Sequence, residues 1–133
     1  MTTTSPSEAS KTYVDHLQLL DVDHVRFYVS NAKQAAFYYA YCFGFQVTQR
    51  HDLTTGCRDS ASYLLTQGNI RFILESPLTS EHPATNEIAR FGDGIKDIAF
   101  TVKDAEKSYE KAIANGGTSV KEPVTVTDEF GSV

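Results

Sequence analysis

The sequence predicts an α+β fold, a tandem of two βαβββ units with the second cut short, and three observations carry that expectation. The first is a repeat. Adding 73 to the numbers of Val25, Phe27, Val29, Asn31, Ala32 and Gly44 lands on Ile98, Phe100, Val102, Asp104, Ala105 and Gly117. The second is periodicity: both copies place apolar residues at every second position, as a strand with one buried face requires. The third is punctuation. Both copies set Asn or Asp before Ala, the pattern of a helix N-cap, and close on Gly, which suits a left-handed helix end. A unit of this kind cannot bury its apolar face alone, so it recurs.

The chain has 133 residues, room for one domain with an ordinary core. It is 41% hydrophobic and 22% charged with a net charge of −5, and its 12 basic residues are scattered. No nucleic-acid or anionic-membrane partner is expected, since either needs a basic stripe. No apolar run approaches the ~20 residues of a membrane span. Residues 1–11, MTTTSPSEASK, fit neither a secretory signal nor a mitochondrial presequence, so a cytoplasmic protein with a loose N-terminal tail is expected. Cys42 and Cys57 carry no CxxC spacing and read as free thiols, with Cys42 placed in the core.

Residues 1–20 read as a flexible tail and lead-in, and residues 21–133 as one domain, incomplete at its C-terminal end. The first strand runs from Asp23 to Val29, with Val25, Phe27 and Val29 on one face and His24, Arg26 and Tyr28 on the other. A helix follows over Ala32–Phe43, turning Ala36, Ala40 and Phe43 to the sheet. Three β-like stretches come next: Phe45–His51, Ala61–Thr66 and Ile70–Glu75, the last two joined by a tight turn at Gln67-Gly68-Asn69. Residues 76–94, with Pro77, Pro83, Gly92 and Gly94, read as a connector holding one helical turn near Asn86–Phe91. The second unit opens at Ile95–Val102, with Val25, Phe27, Ile98 and Phe100 expected to lie buried under the two helices. Its own helix, Ala105–Asn115, carries a stripe of Ala105, Tyr109, Ala112 and Ile113. A strand over Thr118–Val126 and a turn at Asp128–Gly131 end the chain. Three strands follow the first helix and one follows the second, so the sequence is expected to be a piece of a longer protein.

Three phrases carry a family resemblance: DHVRFYVSNAKQAAFYYAYCFGF, SYLLTQGNIRFILESPL and HPATNEIARFGDGIKDIAFTVKDAEKSYEKAIANGG. Paired βαβββ units are the architecture of the vicinal oxygen chelate group. Within it, these phrases resemble the N-terminal half of the 4-hydroxyphenylpyruvate dioxygenase family, over about Leu20 to Val133. The resemblance implies an iron(II) enzyme of tyrosine and phenylalanine breakdown, converting 4-hydroxyphenylpyruvate and O2 to homogentisate and CO2. It also implies an iron held by two His and one Glu in a C-terminal βαβββ pair. No residue here matches those motifs. The resemblance therefore implies no catalytic or metal-binding residue and no cofactor in this chain. It implies instead a structural and assembly role beside a C-terminal catalytic domain, within a homo-oligomer. Two alternatives stand beside it: half of a hydroxymandelate synthase, or a stand-alone binding module of the same fold without catalysis.

His24, Glu75 and Asp97 share the polar parity of their strands and could form a vestigial metal set. His24 stands where metal-binding modules of the group place a histidine, and Asp97 answers it in the second copy. Arg26 and Arg71 share that face as cavity-lining candidates, and ion pairs from them to Glu75 and Asp97 explain the same residues without metal. His16, His51 and His82 have no ligand-type spacing and read as solvent-facing. The run Phe37-Tyr38-Tyr39-Ala40-Tyr41 reads as half core and half cover for a neighbouring domain or subunit.

Overall fold

The computed structural model describes residues 17–124 and the backbone of 127–128 and 131–132. Residues 1–16, His16 among them, lie outside the described residues. The elements in order are β1 (Leu19–Tyr28), α1 (Ala32–Phe43), β2 (Gln46–His51), β3 (Ser60–Gln67), β4 (Ile70–Pro77), α2 (Pro83–Phe91), β5 (Gly94–Val102) and α3 (Ala105–Ala114). Two-residue strands follow, β6 (Thr127–Asp128) and β7 (Gly131–Ser132).

Local chemistry explains the first unit. Asn31 is extended, and its side-chain oxygen accepts the Gln34 N–H at 3.1 Å, supplying one of the acceptors that a helix start lacks. Gly44 closes α1 at φ +81°, and its N–H donates to the Ala40 carbonyl at 3.2 Å. The β3–β4 hairpin turns on Gly68-Asn69, with Gln67 facing Ile70. The sheet order is β2-β3-β4-β1-β5, with β1 parallel to β4 and Phe27 opposite Leu74.

α1 lies over β3 and β4, where Val29, Ala32, Ala36, Phe45, Tyr63, Leu65 and Leu74 form the core. Phe72 stacks on Phe45 at 4.9 Å and meets Phe27 edge-on at 5.1 Å. The faces of α1 need correction: Ala32 and Ala36 are buried, Ala40 is half-buried, and Phe43 is exposed. Cys42, expected in the core, is exposed as well.

The largest correction falls on β5. Val25 and Phe27 are half-buried, but Ile98 and Phe100 are 52% and 51% exposed. Geometry gives the reason. A helix about 10 Å wide shadows two strands spaced about 4.8 Å apart. With α1 over β3 and β4, β5 falls outside that shadow, and among the described residues it is an edge strand with cross-strand neighbours on one side only.

The chain divides into two compact units, residues 21–101 and residues 102–133 with the lead-in up to Leu20. In the latter, Asp104 caps α3 by accepting the Lys107 N–H at 3.1 Å, as the repeat predicts. Ser108 Oγ donates to the Leu17 carbonyl at 2.7 Å, and the Lys103 N–H to that of Gln18 at 3.3 Å, which pins the lead-in to this unit. Of the expected stripe, Tyr109 and Ala112 are half-buried, whereas Ala105 and Ile113 are exposed. Residues 118–124 form no strand, and residues 125–126 of that expected strand lie outside the described residues. β6 and β7 pair as a small antiparallel ladder, Thr127 with Ser132 and Asp128 with Gly131.

Candidate functional site

The register of β1 on β4 sets Arg26 beside Ile73 and Tyr28 beside Glu75, on the face away from α1. Charge gathers there. Glu75 Oε2 lies 3.6 Å from Arg26 Nη1, the ion pair that parity predicts, and Glu75 Oε1 lies 3.4 Å from His82 Nε2. His82 is the residue that sequence reasoning misplaced: its side chain is 11% exposed, not solvent-facing. It caps α2, its Nδ1 accepting the Ala84 N–H at 3.1 Å. That bond assigns the neutral ring its proton on Nε2, the nitrogen that lies 3.4 Å from Glu75 Oε1. The signal that could have found it was local, a polar residue directly before Pro83 at the first helical position. α2 accordingly runs nine residues rather than one turn.

Around this core the field is mixed. The Tyr28 ring meets His82 edge-on at 6.1 Å, and Lys96 Nζ lies 5.5 Å from its centroid. Burial raises the Tyr28 phenol above its ordinary pKa, and the charge of Glu75 adds to the rise, so it stays protonated. The Lys96 ammonium pairs with Glu87 at 3.2 Å, and that hydrogen bond raises its pKa. Arg26 Nε is buried with no hydrogen-bond partner among the described residues. Arg71 departs from expectation, reaching Asp23 at 3.2 Å rather than Glu75 or Asp97.

His24, Glu75 and Asp97 are each engaged or set differently. His24 Nδ1 bonds Asp23 Oδ2 at 2.7 Å, Glu75 faces two cationic or donor groups, and Asp97 lies exposed on β5. Among the described residues no three His, Cys, Asp or Glu side chains gather around a common ion position. A facial triad needs two imidazoles and a carboxylate, and here Glu75 faces Arg26 at 3.6 Å and His82 at 3.4 Å instead. What the arrangement does chemically is tie β1, β4 and α2 together through one carboxylate.

Two clefts flank α1. One of about 480 Å³ is walled by Phe27, Val29, Tyr38, Tyr39 and Ile95, and one of about 350 Å³ by Lys33, Asp52, Tyr63 and Ser76. Among the described residues no helix is long and apolar enough to cross a membrane.

The sequence profile described as the Glyoxalase/Bleomycin resistance protein/Dioxygenase superfamily matches residues 21–132. A 4-hydroxyphenylpyruvate dioxygenase of Dictyostelium discoideum is 46% identical over 112 residues, which cover 84% of this chain and 30% of that protein. One from Xenopus tropicalis is 39% identical over 120 residues, 87% of this chain and 30% of its own length. The chain thus spans about 30% of the length of these relatives. Among solved structures, a 4-hydroxymandelate synthase mutant from Streptomyces coelicolor superposes with a TM-score of 0.78 at 22% identity, over 86% of this chain and 33% of its own. A methylmalonyl-CoA epimerase from Mycobacterium tuberculosis gives 0.70 at 18% identity, over 92% and 81%. At those identities the likeness concerns the fold alone.

Proposed function

From its membership of the glyoxalase, bleomycin resistance protein and dioxygenase superfamily, to which this chain belongs, we propose that it is the N-terminal domain of a cytosolic 4-hydroxyphenylpyruvate dioxygenase. The whole enzyme converts 4-hydroxyphenylpyruvate and O2 to homogentisate and CO2, a step of tyrosine catabolism. Iron(II) in that enzyme is held by the C-terminal catalytic domain and supplies the oxygen activation. The observation that carries the reading is the 46% identity to the Dictyostelium protein over most of this chain. The likeness to the mandelate synthase, at 22% identity, favours no second reading.

The part played by this chain is structural. Arg26 and His82 face Glu75 on the side of the sheet away from α1, at 3.6 Å and 3.4 Å, and this cluster links β1, β4 and α2. The test uses the polypeptide that the gene encodes in full, incubated with iron(II), ascorbate and 4-hydroxyphenylpyruvate. Homogentisate and CO2 are expected. 4-Hydroxymandelate would transfer the protein to the sister activity, and no oxygen uptake by iron-loaded enzyme would end the dioxygenase reading. The 133-residue chain alone should consume no more oxygen than an iron blank. Turnover that vanishes in His24→Ala would overturn the structural role.

A further inference from the structure

The smaller of the two clefts beside α1, about 350 Å³, holds polar groups that the structural role leaves unused. Ser76 is 4% exposed, and its hydroxyl makes no hydrogen bond among the described residues. It shares the strand parity of Leu74, so it stands on the face of β4 that α1 covers, and it lines the cleft. A buried hydroxyl without a partner carries a cost that an acceptor on a ligand removes.

The start of α1 brings positive charge to the same cleft. Asn31 accepts the N–H groups of Gln34 and Ala35, which leaves those of Ala32 and Lys33 without an acceptor among the described residues. No acidic side chain stands in the first turn to offset the positive pole of the helix. Lys33 lines the cleft and adds an ammonium that pairs with no carboxylate among the described residues.

The remaining walls set size and charge. Leu53, Pro77 and Leu78 are apolar, and the two leucines are 66% and 42% exposed. Asp52 faces the cleft as an ionised carboxylate, accepting the Thr54 N–H at 2.8 Å and the Tyr63 hydroxyl at 3.4 Å. The volume equals that of roughly a dozen waters, room for a ligand of about ten non-hydrogen atoms.

We propose that this cleft binds a small organic monocarboxylate with an apolar body. The carboxylate accepts from the Ser76 hydroxyl and the free N–H groups of α1, beside the Lys33 ammonium, and the body rests on Leu53, Pro77 and Leu78. Asp52 selects for a single negative charge, since a phosphate carries about −1.5 to −2 and meets that carboxylate with greater repulsion. The site needs no reaction, so it stands apart from the catalytic reading above.

Phenylacetate titrated into the 133-residue chain, followed by amide NMR shifts, tests it. The amides of Ala32, Lys33 and Ser76 should shift together and saturate, with a Kd of roughly 0.1–1 mM for a ligand of about ten atoms in an open cleft. Ser76→Ala should weaken binding about threefold or more, and Lys33→Glu about tenfold or more. A carboxylate near a helix N-terminus stabilises the helix, so Lys33→Glu should bind less while its thermal midpoint holds or rises. Benzyl alcohol, which lacks the charge, and inorganic phosphate, which has too much, should each bind at least about tenfold more weakly than phenylacetate. The proposal is overturned by shifts that fail to saturate by about 10 mM or that centre on other residues. It is overturned equally by a Kd that either variant leaves unchanged, or by benzyl alcohol or phosphate binding as tightly as phenylacetate.

Discussion

At His82 the two ring nitrogens face different elements, Nδ1 accepting at the start of α2 and Nε2 lying 3.4 Å from Glu75 on β4. Replacing it with Ala removes a cap, worth about 0.5–2 kcal/mol, and one partner of a carboxylate that is only 15% exposed. His82→Asn restores the cap without the Glu75 contact. Urea unfolding should rank wild type above His82→Asn above His82→Ala, and equal stabilities for all three would show that the ring does neither job. Two half-buried carboxylates carry a pH signature. Asp52 is held below the ordinary range first by its bond from the Thr54 hydroxyl, with the Thr54 N–H and the Arg50 charge adding to it. Asp23 is held down first by its bond to His24, with the charges of His24 and Arg71 adding. A depressed folded-state pKa gives stability that is fully present above the unfolded value of about 3.9 and is lost as pH falls through the folded value. The thermal midpoint should therefore drop below about pH 4, and Asp23→Asn with Asp52→Asn should shallow that drop. A double variant that falls as steeply as the wild type would remove these two groups from the account.

Elements whose beginnings and ends are set by neighbours in sequence are legible from the sequence alone. Asn31 and Asp104 cap their helices as the repeat predicts, because an N-cap depends on a side chain and an N–H three residues away. Gly44 was legible for the same reason, and it is demanding: φ is +81°, and an added Cβ would stand 3.2 Å from Gln67 Nε2. Gly44→Ala should cost about 1–2 kcal/mol, most of it the left-handed backbone. Shortening the neighbour as well, with Gln67→Ala, should recover little. Full rescue by Gln67→Ala would place the cost in the crowding instead, as urea midpoints would reveal. The Arg26–Glu75 pair was legible too, since strand parity puts both on the same face. Parity stops short of saying what covers a face. It could not tell that Cys42 and Phe43 lie beyond the reach of the sheet, nor that Arg71 reaches Asp23. The segment 76–94 has no period to read, so the place of His82 depends on where α2 begins, and that in turn on Pro83.

Across the whole molecule the apolar surface is unevenly shared. Leu65 and Leu74 are fully buried under α1, while Ile95, Ile98 and Phe100 on β5 keep half or more of their surface in water. The contrast sets opposite expectations for the same chemistry. Leu74→Ala empties space in a packed interior and should cost about 2–5 kcal/mol, a large part of a typical total of about 5–15 kcal/mol. Ile98→Thr with Phe100→Thr removes side chains that are only half covered. Each forfeits roughly half of the 1.5–3 kcal/mol that full burial supplies, and Thr keeps the β-branched shape that strands favour. The double change should therefore cost less than Leu74→Ala although it removes more apolar atoms. It should also lower the binding of a hydrophobic dye, because the exposed edge of the sheet is where such a dye gains contact. Thermal melts and dye fluorescence on the 133-residue chain decide this together. A double variant as unstable as Leu74→Ala, with dye binding unchanged, would mean that β5 is covered in solution and that its exposed face is not the open edge of this fold.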